Sequence, residues 1–159
     1  LTLNLLFFIF NTILINISTI VMKQPKRYAG IIIKNGDEVL MCQRNYDGDM
    51  PGQWSVPCGH LHDNENAMVG AKREFFEETD YKINGGVKLV GFMNGKTKGE
   101  NDSEGLFYVF LHETDEKVIP DLENAQDGHE HIDWGYFKLN NLPIGKNTQL
   151  HGIIEKILK

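Results

Sequence analysis

Glu74, Glu77 and Glu78 fall at helical spacing in a stretch, Asn66–Thr79, whose only helix-weakening residue is Gly70. At about 100° per residue, Glu77 lies about 60° to one side of Glu74 and Glu78 about 40° to the other, so one stripe carries three carboxylates. Ala67, Gly70 and Ala71 share that stripe and leave room for close approach. Met68, Val69, Phe75 and Phe76 form the opposite face, expected to pack on a sheet and to keep the acids away from the core. The bland alternative is a solvated helix face with Arg73 and Glu77 paired at i, i+4. Small neighbours and like charges at Glu74 and Glu78 do not suit it, whereas a hard divalent cation suits clustered oxygens. A polyphosphate can approach such a face only with a cation between.

The preceding loop extends the pattern. Gly59 is followed after five residues by Glu65, and after seven more by Arg73-Glu74-Phe75-Phe76-Glu77-Glu78. This resembles the Nudix box, G-x5-E-x7-R-E-U-x-E-E-x-G-U, with U a bulky apolar residue. Asp80 departs from the pattern where the family has Gly, and Tyr81 takes the last U position. The slot follows a helix end and wants left-handed backbone, which Asp tolerates better than most residues. The box spans residues 59–81, and the order of flanking elements extends the resemblance to about 27–158.

The resemblance implies an α/β protein, a Nudix-type α/β/α sandwich with a mixed β-sheet. It implies that Glu74, Glu77 and Glu78 hold Mg²⁺ or Mn²⁺, with a backbone carbonyl near Cys58 joining them. Arg73 is similar to the Arg that orients the acids, and Gly59 and Glu65 belong to the structural part of the box. The catalytic set is Glu77, Arg73 and a loop carboxylate, Glu130; Asp127 and Glu104 are the other loop acids considered. The reaction implied is hydrolysis of a phosphoanhydride bond, with metal neutralising diphosphate oxygens and a carboxylate taking the proton of water.

Substrate is read by exclusion. The proline that accompanies ADP-ribose activity is absent near Lys96, and the tyrosine typical of dinucleoside polyphosphate hydrolases is absent near Lys98. NADH-type and coenzyme A-type signatures are missing too. The chain therefore looks like the MutT-like group, which takes nucleoside or deoxynucleoside triphosphates to monophosphate and pyrophosphate. Arg44 is the phosphate-binding candidate. Tyr28 and Trp134 are the candidates to stack a base, with Phe92 and Phe107 behind them. ADP-ribose and nucleotide sugars remain alternative substrates. Cys58-Gly59-His60 also resembles a segment of isopentenyl diphosphate isomerase, but no His precedes His60 and the Glu-Glu of the box is intact. A zinc module built on Cys58, His60, His62, His129 and His131 is a third alternative, weakened by the lack of a CxxC pair.

The elements that must position these groups follow from patterning. With 159 residues the chain fits one domain over 22–159. Hydrophobic residues are 41% and charged residues 24%, an ordinary globular balance. A net charge of −6 argues against a nucleic-acid polymer as partner. Cys42 and Cys58 give no disulfide framework and suggest a reducing, cytoplasmic setting. A homodimer is left open. Residues 1–21 carry no charge; they are expected to be a non-native leader before Met22, with a membrane anchor as the alternative. Strands are expected at Tyr28–Lys34 and Glu38–Arg44 around the Asn35-Gly36 hairpin turn, then at Trp54–Val56, Val87–Met93, Leu106–His112 and His131–Leu139. A second helix is expected from about Thr148 to Leu158.

Overall fold

The computed structural model describes residues 25–48, 50–97 and 103–159. The 1–21 leader and the Glu104 side chain lie outside the described residues. Among the described residues no helix is long and apolar enough to cross a membrane.

Seven strands form one mixed sheet: β1 (Lys26–Asn35), β2 (Glu38–Arg44), β3 (Trp54–Ser55), β4 (Cys58–His60), β5 (Lys88–Thr97), β6 (Ser103–Glu113) and β7 (His131–Lys138). The main order is β3-β2-β1-β6-β5, with β4 on β1 and β7 on β2. β1 and β6 run parallel, and the other pairs are antiparallel. The run Ile31-Ile32-Ile33 is fully buried, as expected for a central strand covered on both faces. Gly36, at φ +59°, makes the hairpin turn and sets Asn35 opposite Glu38.

Helix α1 (Ala67–Thr79) packs on one face and helix α2 (Gln149–Leu158) on the other. Strand alternation divides the core accordingly. Ile31, Ile33 and Leu40 join Ala71 and Phe75 of α1, whereas Ile32, Val39 and Met41 join Leu150, Ile153 and Ile154 of α2. Asn66 caps α1 by accepting from the Met68 and Val69 amides, and Thr148 caps α2 by accepting from the His151 amide.

Three expectations need correction. The apolar face of α1 does not pack on the sheet: only Phe75 is buried, while Met68, Val69 and Phe76 are 43%, 60% and 44% exposed. Helix α1 lies over β1 and β4, so the inward positions are Ala71, Phe75 and, three residues on, Glu78. The acidic stripe thus enters the interior, and Glu78 is 2% exposed. Next, β5 and β6 run to Thr97 and from Ser103, well into the expected loop 94–105, because Gly95 and Gly105 pair across the ladder. Finally, Cys58–His60 forms a short strand after Pro57, held by pairing of Tyr28 with His60 and Gly30 with Cys58.

Candidate active site

Arg73 organises the box through five hydrogen bonds. Its Nε and Nη2 donate to the two oxygens of Glu65 at 3.0 and 2.9 Å, a bidentate pair. Nη1 donates to Glu74 Oε1 at 2.7 Å and Glu77 Oε2 at 2.8 Å, and Nη2 to the His60 carbonyl at 3.1 Å. The bond from Arg73 holds the Glu65 carboxyl at a pKa of about 2. Two glycines make the approach of loop and helix possible. A Cβ on Gly59 would stand 2.0 Å from Glu74 Oε2, and one on Gly70 would stand 2.2 Å from Leu61 Cδ2. Asp80 ends α1 at φ 52°, the left-handed backbone expected at the box position where the family has Gly.

Glu78 is balanced differently. Its Oε2 accepts the Cys58 amide at 2.9 Å. Burial pushes its pKa well above the ordinary carboxylate value, and the charges of Glu130 and Glu74 add to the rise. Glu74 is also raised, first by burial, although Arg73 opposes the shift. Burial likewise pushes the Cys58 thiol far up, with Glu78 adding to it. The backbone of Cys58 is the part that engages the helix.

Glu130 reaches the site from a distant loop. The Asp127 amide donates to the Glu77 carbonyl at 2.8 Å and the Glu130 amide to the Asp127 carbonyl at 3.0 Å, which anchors the turn Gly128–Glu130 on the end of α1. Arg44 Nη2 then donates to Glu130 Oε2 at 3.0 Å. His131, opposite Arg44 on β7, is 4% exposed. Burial and the Arg44 charge hold its pKa down to about 4.

These groups meet at a cavity of about 540 Å³. Glu74, Glu78, Glu130, Arg44 and Cys58 line it together with Tyr28, Phe107, Met50, Gly95 and Gly105. Most of the expected residues are thus brought together: Tyr28, Arg44, Cys58, Gly59, Glu74, Glu78 and Glu130 all line it. Arg73, Glu77 and Glu65 stand behind this wall as one ion-pair network. Trp134 is not among the lining residues and packs against the core on the α1 side, while Phe92 is exposed and meets Tyr108 edge-on. Met50 was not foreseen; its left-handed backbone, at φ 53°, leaves no mark in residue type.

The donor set suits a hard divalent ion, since the site offers carboxylate and carbonyl oxygens and holds Glu74 and Glu78 where burial, with neighbouring carboxylates adding to it, raises their pKa. Among the described residues no three His, Cys, Asp or Glu side chains converge on one point. Arg73 draws Glu74 Oε1 and Glu77 Oε2 to itself, while Glu74 Oε2 stays turned to Gly59. The arrangement therefore fits a hard divalent ion held by one or two carboxylates, with water and phosphate completing its shell. It does not assemble the zinc set of Cys58, His60, His62, His129 and His131.

Comparison with known proteins agrees with this architecture. The sequence matches the Nudix domain over residues 24–158. No curated protein matches the sequence. Among solved structures the fold is similar to a MutT Nudix hydrolase from Burkholderia pseudomallei, at 21% identity and TM-score 0.67, covering 84% of this chain and 98% of that one. It is similar to a C. elegans Ap4A hydrolase in a binary complex, at 20% identity and TM-score 0.61, covering 83% and 94%. It is also similar to the Nudix domain of Shewanella oneidensis NrtR complexed with ADP ribose, at 13% identity and TM-score 0.62, covering 86% and 90%. With the box present in sequence and folded around one cavity, the chain belongs to the Nudix family and is a Nudix hydrolase.

Proposed function

We propose that this hydrolase cleaves a phosphoanhydride bond of a nucleoside or deoxynucleoside triphosphate, giving the monophosphate and pyrophosphate, with Mg²⁺ or Mn²⁺ as cofactor. The observation that carries the reading is the cavity itself, whose lining combines the mutually repelling carboxylates of Glu74, Glu78 and Glu130 with the rings of Tyr28 and Phe107. Nudix hydrolases act on small nucleotides and generally use a divalent metal, and these carboxylates are where it would sit. Glu74 and Glu78, with the Cys58 carbonyl beside them, are the lining residues that would hold it, and Glu77 backs them through Arg73. A bound ion supplies charge neutralisation of the diphosphate and acidifies water.

The protein's own groups do the rest. Arg44 lines the cavity, where it would meet the phosphates, and positions Glu130 through their 3.0 Å bond. Glu130 accepts a proton from the attacking water as its oxygen bonds to phosphorus and the bridging P–O bond breaks, the electron pair leaving with the departing phosphate group. Glu77 is bound to Arg73 and does not line the cavity, whereas Glu130 does, so the proton is assigned to Glu130 and Glu77 holds the Arg73 guanidinium in place. Arg73 fixes Glu74 so that its second oxygen faces the cleft. Tyr28 is the base-stacking residue; Trp134, packed in the core, is not carried forward in that role.

The test is a panel of NTPs, dNTPs, ADP-ribose, nucleotide sugars and isopentenyl diphosphate with Mg²⁺, Mn²⁺ or EDTA, with products separated by chromatography: monophosphate and pyrophosphate from a triphosphate, two monophosphates from ADP-ribose or a nucleotide sugar, and the isomeric diphosphate from isopentenyl diphosphate. Turnover of a triphosphate that stops in EDTA and returns with Mg²⁺ is expected. Full activity in chelator, or turnover confined to a substrate other than a triphosphate, refutes the reading.

A further inference from the structure

The two ring nitrogens of His131 are buried and have no hydrogen-bond partner, and among the described residues no other fully buried side-chain polar atom is left so. The residue is 4% exposed. Glu78 and Thr79, buried to a similar degree, each have a bond, with the Cys58 amide and the Phe75 carbonyl. A buried polar group without a partner lowers stability, and native proteins leave few of them. Leucine or phenylalanine would fill the same place without that loss. An imidazole kept there points to a partner that arrives when the site is at work.

Its neighbour is Arg44. The two are cross-strand partners of β2 and β7, and the register slips between Gln43 and Arg44. Paired side chains share a face, with Cβ atoms about 4.5–5.5 Å apart, and a bulge of this kind commonly re-aims a side chain beside an active site. The backbone around the pair is pinned. The Arg44 amide donates to the Gln53 carbonyl at 2.8 Å, and the Asn45 amide to the Glu130 carbonyl at 2.7 Å. Asn45 Nδ2 donates to the His129 carbonyl at 2.9 Å. Burial and the Arg44 charge leave the ring neutral above a pKa of about 4. A neutral imidazole has one N–H and one lone pair to offer. The Arg44 side chain is 12% exposed and that of Glu130 39%, so the arginine is enclosed on the side of the ring while the carboxylate stands more open.

We propose that His131 is a positioning residue: its ring lone pair accepts an N–H of Arg44 when phosphate enters, and so lets the guanidinium release Glu130. This rests on the hydrolase reading. In the structure Arg44 occupies Glu130 Oε2 at 3.0 Å, an oxygen that the attacking water needs. Phosphate oxygens compete for the guanidinium, whose five N–H groups form a rigid planar fork and turn as a unit. A turn toward phosphate brings another N–H to the side where His131 lies. A carboxylate there would hold Arg44 permanently, and an apolar side chain would leave that N–H without an acceptor. The imidazole does neither.

Nitrogen NMR of the imidazole tests this on the unaltered protein. With Mg²⁺ and saturating methylenediphosphonate, the unprotonated ring nitrogen of His131, assigned by its loss in His131→Gln, is expected to move upfield as it accepts a hydrogen bond. An unchanged signal in the saturated protein overturns the proposal. Kinetics on the best nucleotide give the second reading. His131→Leu is expected to melt no lower than wild type, because an unpaired polar group is removed. It is expected to lose about tenfold in kcat, the worth of one hydrogen bond to a charged group. His131→Gln, whose amide oxygen can accept the same N–H, is expected to recover most of that loss. Wild-type kcat in His131→Leu overturns the proposal, and so does a loss that a His131→Gln protein of wild-type melt shares in full. If His131→Leu melts early, the NMR result decides alone. Absence of turnover on every nucleotide refutes the hydrolase reading separately, since the ring signal needs only Arg44 and a diphosphate.

Discussion

The two helices are of similar length, cap themselves in the same way and cover opposite faces of one sheet, yet their interiors differ. Helix α2 buries Leu150, Ile153 and Ile154, with His151 as its one buried polar residue, and leaves Lys156 in water. Helix α1 buries a single large apolar side chain, Phe75, and spends the next inward position on Glu78. Its remaining apolar residues, Met68, Val69 and Phe76, face solvent. One helix is built for adhesion. The other accepts weaker adhesion so that carboxylates can stand at the edge of the core, where low polarity strengthens their pull on a cation.

The sharpest way to break this contrast is Glu78→Gln. The amide oxygen can still accept the Cys58 N–H, so the fold should survive, but kcat should fall about 10²-fold or more. Near wild-type kcat would reduce α1 to a second strut. Ile154→Ala is the mirror experiment on α2. A fully buried Ile should cost about 2–5 kcal/mol of stability, read by denaturant unfolding. The kcat of the folded fraction should stay as in wild type, and a large loss there would mean that α2 takes part in the chemistry.

A finer comparison uses pH. The folded pKa of Glu78 lies above its unfolded value, so its contribution is fully present below the unfolded pKa and is lost as pH rises through the folded one. Glu78→Gln should therefore raise the melting temperature at pH 8 without metal, by about 2–4 °C for each kcal/mol recovered. The gain should shrink as pH falls, because the raised pKa returns the wild-type carboxyl to its neutral form. A gain independent of pH would show that charge burial is not the cause. Asp80→Gly should have the smallest effect. Glycine adopts the left-handed backbone at φ 52° without strain, which should add about 0.5–1 kcal/mol and leave kcat/KM unchanged; a melt lowered by the change would show that the Asp80 side chain contributes to the cap.

The same contrast explains what was legible in the sequence. Helix α2 was readable because its burial follows its hydrophobicity. The spacing of Gly59, Glu65, Arg73, Glu74, Glu77 and Glu78 was readable because one guanidinium and two close backbone approaches tolerate few alternatives. The orientation of α1 was misjudged because periodicity assigns the core to the apolar side, and here β4 and Cys58 claim the acidic side. Strand β4 itself leaves almost no trace, being three residues whose pairing with β1 is decided by tertiary contact. Glu130 was named among several loop acids, but its arrival depends on the Asp127–Glu77 backbone bond, which any residue at 127 except proline could make.

The parallel register of β1 and β6 has a consequence for how the molecule comes to exist. It joins residues 79 positions apart, as in Lys34 with Glu113, and such distant pairing makes folding slow compared with local hairpins. On a ribosome, β1, β2 and the whole box emerge before β6 is made. The acids of α1 must wait for a central strand to complete the floor beneath them, and Glu130 comes later still. Competence to bind a nucleotide therefore arises near the end of synthesis, as a property of the finished chain and not of its first half.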